Sequence, residues 1–460
     1  MIAESKSAVL GDSSAAMLIA RIERLPRTFW HLKARIIVGT ATFFDGFDAI
    51  TIAYVLPVLI GMWKLAPSQI GLLISSGYIG QIAGALLFGW LGDRWGRIPS
   101  LVFAIALFGV MSLACAFAWD YNSLFVFRTI QGIGLGGEVP VAASYITEMA
   151  KARGRGRFFL LYECVFGFGL LGASLLGLWL VPTVGWQSMF IIGALPALLV
   201  FPVLSMLPES ARWLVGKQRL TDAARVVDEL EADAVRRGYA VPPVDPATIR
   251  PPVAWQWRWS DLFRGIYRTR TFVVWVIWFC TYLVTYGIVA WLPSLYRTVY
   301  KLDLSLALQY TFVTQLCGIV GAVASAFLFD KVTRRTWFGL TFLFTSLPLF
   351  ALWLEGATSP AAVMLCASIS FLFTSANAGA IYVYSTEIYP TRFRAFGVSV
   401  ATAWVRIGSA IGPIVVGFML SDYGLAAVFL LFAIVAIIGA VISGAGSTDS
   451  RERVLEEISP

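Results

Sequence analysis

Phe43-Phe44-Asp45-Gly46-Phe47-Asp48 places two carboxylates inside a stretch that carries no other charge from Ile36 to Gly61. A run of that length and composition reads as a membrane-spanning helix. At about 1.5 Å of rise per residue Asp48 lies roughly 20 Å along it, near mid-bilayer. An ionised side chain there costs about 2.5 to 3.5 kcal/mol on insertion scales, so it persists only facing a partner or a watery cavity. The stretch points to a protein that carries something across a membrane, with Asp48 taking part.

Working outward, the 460 residues are 58% hydrophobic and only 13% charged, with a mean hydropathy of +0.77, outside the range of a soluble domain. Twelve apolar spans are predicted at 35–62, 68–91, 98–118, 122–147, 157–181, 186–207, 271–296, 304–329, 336–355, 361–386, 396–420 and 424–444. The net charge of +8 does not mark a nucleic-acid binder, because the basic residues are segregated by loop. Lys64, Arg297 and Lys301 fall on one side, Arg128 and Arg406 within spans, and the remaining 30 of the 35 on the side of both termini. By the positive-inside rule that side is cytoplasmic, in a plasma or inner membrane. The expected organisation is an N-terminal amphipathic segment (1–34) lying on the membrane face, a six-helix bundle (35–207), a polar inter-bundle loop (208–270) with a helix over 221–237, a second six-helix bundle (271–444) and a tail (445–460). Cys115, Cys164, Cys280, Cys317 and Cys366 all lie in apolar stretches and carry no expected role.

The halves repeat each other. Gly92-Asp93-Arg94-Trp95-Gly96-Arg97 after span two recurs weakly as Phe329-Asp330-Lys331-Val332-Thr333-Arg334 after span eight. Tyr145-Ile146-Thr147-Glu148 with Arg153 after span four recurs as Tyr384-Ser385-Thr386-Glu387 with Arg392 after span ten. Such duplication is the build of secondary transporters with a central site between halves. Three further motifs sharpen this: Gly89-x-Leu91-Gly92-Asp93-Arg94-x-Gly96-Arg97, Arg128-x-x-x-Gly132-x-Gly134-x-Gly136, and Pro208-Glu209-Ser210-x-Arg212-Trp213-Leu214. On these the chain is identified as a member of the major facilitator superfamily, with the all-α fold of twelve helices in two pseudo-symmetric bundles that this implies. Arg24-Leu25-Pro26, the paired aspartates, Gly287-Ile288-Val289-Ala290-Trp291-Leu292-Pro293 and Glu387-Ile388-Tyr389-Pro390-Thr391-Arg392 resemble the metabolite:proton symporter and synaptic-vesicle-protein-like branch, which includes niacin transporters.

Buried charge is scarce: Asp45, Asp48, Arg128, Glu138, Glu163 and Arg406. Arg128 enters from the opposite side to nearly the depth of Asp48, so the two can pair. The resemblance implies that this pair couples protonation to alternating access. Physically, a nearby arginine favours the charged carboxylate and its withdrawal lets a proton bind. A static ion pair is the alternative, and for Asp45, Glu138 and Glu163 a structural hydrogen bond stands beside a proton role.

Arg406 lies near mid-membrane in span eleven on a polar stripe with Ser399, Thr402 and Ser409, and no acid occurs in spans seven to twelve. A guanidinium suits a carboxylate bidentately, which points to an organic anion, with a carbonyl-bonded packing role as the alternative. Trp278, Tyr282 and Tyr286 recur every four residues in span seven, with Asn377, Tyr382 and Tyr384 in span ten and Gln315 in span eight. Such walls hold a flat ring by stacking and fix its heteroatoms by hydrogen bonding. Asp93, Arg97, Glu148, Arg153, Glu209 and Arg212 in one half, and Asp330, Arg334, Glu387 and Arg392 in the other, are expected to latch the halves when open outward. His31, the sole histidine, is expected at the surface.

No nucleotide loop, metal-ligand cluster or nucleophile with a histidine base occurs, so no enzyme, cofactor or metal is expected. The reading is a monomeric, proton-coupled importer of a small aromatic carboxylate, nicotinate first and benzoate-type acids second. A carrier of another organic ion or of sugar, and a transporter-shaped receptor, remain as other classes.

Overall fold

The computed structural model describes residues 14–26, 28–149, 155–244, 259–390 and 394–450, with backbone alone at 155–164, 200, 201, 204, 259 and 394–396. The described residues are helical or connecting, with no strand. Ten helices are long and apolar enough to cross a membrane. Two more crossings complete the twelve. Span four, Tyr121–Met149, carries Arg128, Gln131 and Glu138 and is therefore too polar to register by hydropathy. Span six is broken into Gln187–Gly193, a tight turn at Leu195–Leu199 containing Pro196, and Val200–Met206.

The remaining spans are Phe29–Trp63, Pro67–Trp95, Arg97–Ala116 and Arg155–Thr183 in the first bundle. The second bundle comprises Gly265–Val289 continued by Leu292–Thr298, then Leu304–Leu328, Arg334–Glu355, Pro360–Ile388, Arg394–Asp422 and Gly424–Gly446. Glycines set the closest helix approaches. A side chain at Gly80 or Gly84 would run into the span-four backbone at Thr129 or Ile133, and one at Gly412 would lie 2.7 Å from the Leu283 carbonyl oxygen of span seven.

Three buried apolar clusters report the conformation. One draws on all twelve spans in the half of the molecule away from the chain ends, from Phe47–Leu59 in span one to Leu283–Tyr296 in span seven and Val428–Ala433 in span twelve. The other two lie toward the basic face and are separate, one built from the first bundle and one from the second. The bundles are thus sealed together on one face and parted on the basic face. Across the seal the Ser75 hydroxyl donates to the Ala410 carbonyl at 2.6 Å, and Tyr78 meets Tyr286 with ring centroids 5.0 Å apart.

Two expectations for the N-terminal segment are corrected. The helix at 14–24 does not lie on the membrane: Ala15, Leu18, Ile22 and Leu25 are buried against Val226, Val227 and Leu230 of the loop helix Leu220–Arg236. Its polar face is satisfied there too, with Glu231 accepting from Arg21 and Arg24 at 2.7 Å each and Arg212 pairing with Glu23. Burial opposes the charge on Glu231, but the two arginines outweigh it and hold the carboxyl below its ordinary range. His31 is buried rather than exposed, because it caps span one: its Nδ1 accepts from the Thr28 amide at 3.2 Å.

Candidate functional site

Span one reaches the bilayer centre tightly packed, since a side chain at Gly46 would collide with the Phe166 carbonyl of span five. Two residues on, Asp48 is 2% exposed and Arg128 3%. Arg128 Nη1 donates to Asp48 Oδ2 at 2.6 Å. Gln131, one turn along span four, donates through Nε2 to Asp48 Oδ1 at 2.9 Å and accepts from Arg128 Nη1 through Oε1 at 2.9 Å. The Phe190 ring of span six lies under the guanidinium at 5.9 Å, and the missing side chain of Gly77 leaves it room on span two. A desolvated, hydrogen-bonded pair of this kind is stable only while both partners stay, so moving either one changes the charge the other can hold. Asp45 is 5% exposed and lies within electrostatic range of Tyr78 and Tyr286. Glu138 is fully buried and accepts from the Thr42 hydroxyl at 3.0 Å. The Glu163 side chain lies outside the described residues.

Arg406 is part-buried on span eleven, its Nε is enclosed without an acceptor, and it makes no hydrogen bond or ion pair among the described residues. Two residues on, a side chain at Gly408 would lie 2.9 Å from the Phe279 carbonyl oxygen and 3.5 Å from the Tyr282 carbonyl carbon, so this turn of span eleven packs on the span-seven turn that carries Tyr282. The span-seven stripe forms as a stack: Tyr286 on Tyr282 at 6.0 Å, Tyr282 on Trp278 at 5.6 Å, with Tyr382 edge-on to Trp278 at 4.6 Å. Trp278 is the buried end of this wall, donating its indole N–H to Ser385 at 3.0 Å. Gln315 is buried on span eight. Asn377 and Tyr384 are not brought to this group. Seven residues apart, they share a helix face turned elsewhere. Asn377 accepts from Thr341 of span nine at 2.8 Å, and the Tyr384 hydroxyl accepts from the Thr448 amide at 2.9 Å, beside Phe338.

At the basic face each bundle closes its own charge network. Arg97 binds Asp93 at 2.7 Å and Glu148 at 2.8 Å, while Arg212 donates to the Glu148 carbonyl at 2.7 Å. Glu209 accepts from the Arg97 and Ile98 amides at 3.0 and 3.3 Å, and burial pushes its carboxyl up against the pull of those donors. In the second bundle Arg334 binds Glu387 at 2.8 Å and Asp330 at 3.3 Å. Arg97 and Arg334 each keep these ion pairs within their own bundle, as a face held open requires; Arg153 and Arg392 lie outside the described residues. Gly96 has φ +117°, and a side chain there would run into Glu209 Oε2. Gly96→Ala is therefore expected to cost about 1 to 3 kcal/mol. A detergent melting temperature lowered by several degrees checks it, and an unchanged melt refutes it.

A family model described as "Sugar (and other) transporter" matches residues 36–460. The chain belongs to that family. It is a major facilitator, and not an enzyme. This transporter is 32% identical over 96% of its length to the niacin transporter of Acinetobacter baylyi, covering 99% of that protein. It is 31% identical over 86% of its length to the gallate transporter of Pseudomonas putida, covering 88% of it, and 28% identical over 85% to a 4-hydroxybenzoate transporter of Pseudomonas putida, covering 86%. Among solved structures, a D-xylose–proton symporter superposes with a TM-score of 0.73 at 19% identity, over 92% of this transporter and 99% of that chain.

Sequence reasoning missed four contributors to the transporter's two sites and its seal. Gln131 had a signal available, an amide one turn from a buried arginine. Tyr78 had none, since its partner Tyr286 is remote in sequence. Asp449 and Ser450, which accept from the Arg334 amide at 3.3 Å and donate to Glu387 at 2.5 Å respectively, lie in a polar tail that resembles any other.

Proposed function

We propose that this transporter is a proton-coupled importer of a small aromatic carboxylate, with nicotinate the first choice and benzoate-type acids the second. The observation that carries the reading is Arg406, a mid-membrane guanidinium with no hydrogen-bonding or ionic partner among the described residues, beside an aromatic stack at the bundle interface. A part-buried guanidinium whose enclosed Nε lacks an acceptor is costly within a membrane, and a carboxylate on a flat ring supplies both the acceptor and the stacking surface. The relatives named for niacin, gallate and 4-hydroxybenzoate carry guests of that chemistry, which supports an aromatic acid over a sugar or an organic cation.

In this reading Arg406 takes the carboxylate, and Tyr286, Tyr282, Tyr382 and Gln315 shape the ring pocket with Trp278 behind them. Asp48 and Arg128 are the coupling pair, with Asp45 and Glu138 beside the proton path. The basic face is cytoplasmic, so the protein is inward-facing with its external side sealed, and it works as a monomer. Asp93, Arg97, Glu148, Glu209 and Arg212, together with Asp330, Arg334 and Glu387, re-pair across the bundles when the cytoplasmic side closes. One proton with one monoanion is electroneutral and worth about 1.4 kcal/mol per pH unit. The test is uptake of labelled nicotinate into proteoliposomes with and without an inward proton gradient. Accumulation that follows the gradient and is competed by nicotinate above benzoate supports the reading; accumulation of benzoate-type acids alone moves the substrate, and no response to any organic anion overturns it.

A further inference from the structure

We propose that Gln131 is the positioning residue that holds Asp48 in both its charged and its neutral form, and that it releases Arg128 when the proton arrives. The inference rests on the reading of Asp48 as the proton carrier. Gln131 is fully buried, and both ends of its amide are committed: Nε2 to Asp48 Oδ1 and Oε1 to Arg128 Nη1. Its orientation is dictated by its neighbours, since a carboxylate offers only acceptors and a guanidinium only donors. The Cys115 thiol points at the same Oε1 from 3.7 Å.

The groups facing Asp48 are few. Span four brings Arg128 and Gln131, span three Cys115, span two Tyr78, and span one itself Asp45. Span six brings Gly193 and Phe190, and span five has no charged side chain among its described ones. Tyr286 of the other bundle stands behind Tyr78.

Protonation has a specific consequence in this arrangement. A proton delivered by hydronium from the aqueous side adds to Asp48 Oδ1, leaving water behind, and Oδ1 becomes an O–H donor that no longer suits Nε2. Rotating the amide by half a turn presents Oε1 to the new O–H and restores the bond. The same rotation turns the NH2 toward Arg128, donor against donor, so the guanidinium loses the carboxylate charge and its amide acceptor together. Arg128 Nε already has no acceptor, and Nη1 donates to both Asp48 and Gln131. One amide thereby converts proton binding into release of the arginine.

The test follows the carbonyl stretch of protonated Asp48 by infrared spectroscopy of the purified transporter against pH, the band being identified by its loss in Asp48→Asn. Gln131→Leu removes the amide's bond from both forms of Asp48, and its band is expected to appear about one pH unit higher than in the wild type, the amount by which the charge-assisted hydrogen bond of the ionised form exceeds the neutral one. Gln131→Glu, of the same shape with a like charge, moves it further in the same direction. Substrate KM at saturating acid stays within about twofold, which separates positioning of the proton from damage to the substrate site. Should the leucine variant fail to fold, the glutamate variant decides alone. An unshifted band in the folded variant overturns the inference, even if wild-type uptake follows the gradient. A shifted band with no gradient-driven uptake in the wild type keeps Gln131 in place and removes the coupling role of Asp48.

Discussion

Arg406→Ala is expected to weaken nicotinate binding by about 100-fold or more while the protein stays folded. The guanidinium has no hydrogen-bonding or ionic partner among the described residues, so its removal leaves no orphaned neighbour in the empty state. What it takes away appears only when a carboxylate arrives. A bidentate charge-assisted pair in a desolvated site is worth about 3 kcal/mol or more, so the dissociation constant rises by about 100-fold at least. Arg406→Lys keeps the charge and loses the fork, and is expected to recover part of the affinity. Nicotinamide supplies the internal control. It has the ring without the charge, so the wild type discriminates against it and Arg406→Ala binds acid and amide equally. Titration calorimetry on the detergent-solubilised protein measures all of these. Undiminished nicotinate affinity in a folded Arg406→Ala would assign the arginine to packing and remove it from the substrate site.

Asp48→Asn is expected to lose gradient-driven accumulation entirely and to keep exchange of labelled for unlabelled substrate. Accumulation needs a group that takes a proton on one side and gives it up on the other, and asparagine does neither. In wild-type vesicles each pH unit of gradient supports about a tenfold concentration ratio for one proton per substrate. The variant equilibrates at a ratio of one. Removing one member of a buried pair also leaves Arg128, 3% exposed, without its counter-charge, at a cost of about 3 to 5 kcal/mol. A lower melting temperature is therefore expected alongside the transport defect. The double variant Asp48→Asn with Arg128→Gln restores the melt and leaves accumulation lost, which separates coupling from stability. Accumulation that persists in folded Asp48→Asn would place the proton elsewhere, with Asp45 and Glu138 next in line.

The sequence by itself determined the architecture, because the physics that sets it is local. Twenty or so apolar residues must cross a bilayer as a helix, basic loops alternate with neutral ones, and a charge at mid-span must face inward. Span four is the instructive case: read over 122–147 as one of the apolar spans, it carries Arg128, Gln131 and Glu138 and is too polar to stand out by hydropathy, and that polarity is what builds the Asp48 site. The partnership of Asp48 with Arg128 was legible too, since two depths counted along two helices converge.

Rotation about the helix axis was not. Asn377 and Tyr384 sit at the right depth in span ten, yet their shared face turns to span nine and the C-terminal tail, because neighbouring helices choose which face is central. The N-terminal helix shows the same limit: an apolar stripe says that it must be covered, and only the fold says that Val226 and Leu230 cover it rather than lipid. Tertiary structure alone also decided that the bundles meet at Tyr78 and Tyr286 and part at the basic face, since that contact joins chemically ordinary residues about two hundred positions apart. Composition limits which groups are buried; packing between distant helices selects which of them meet.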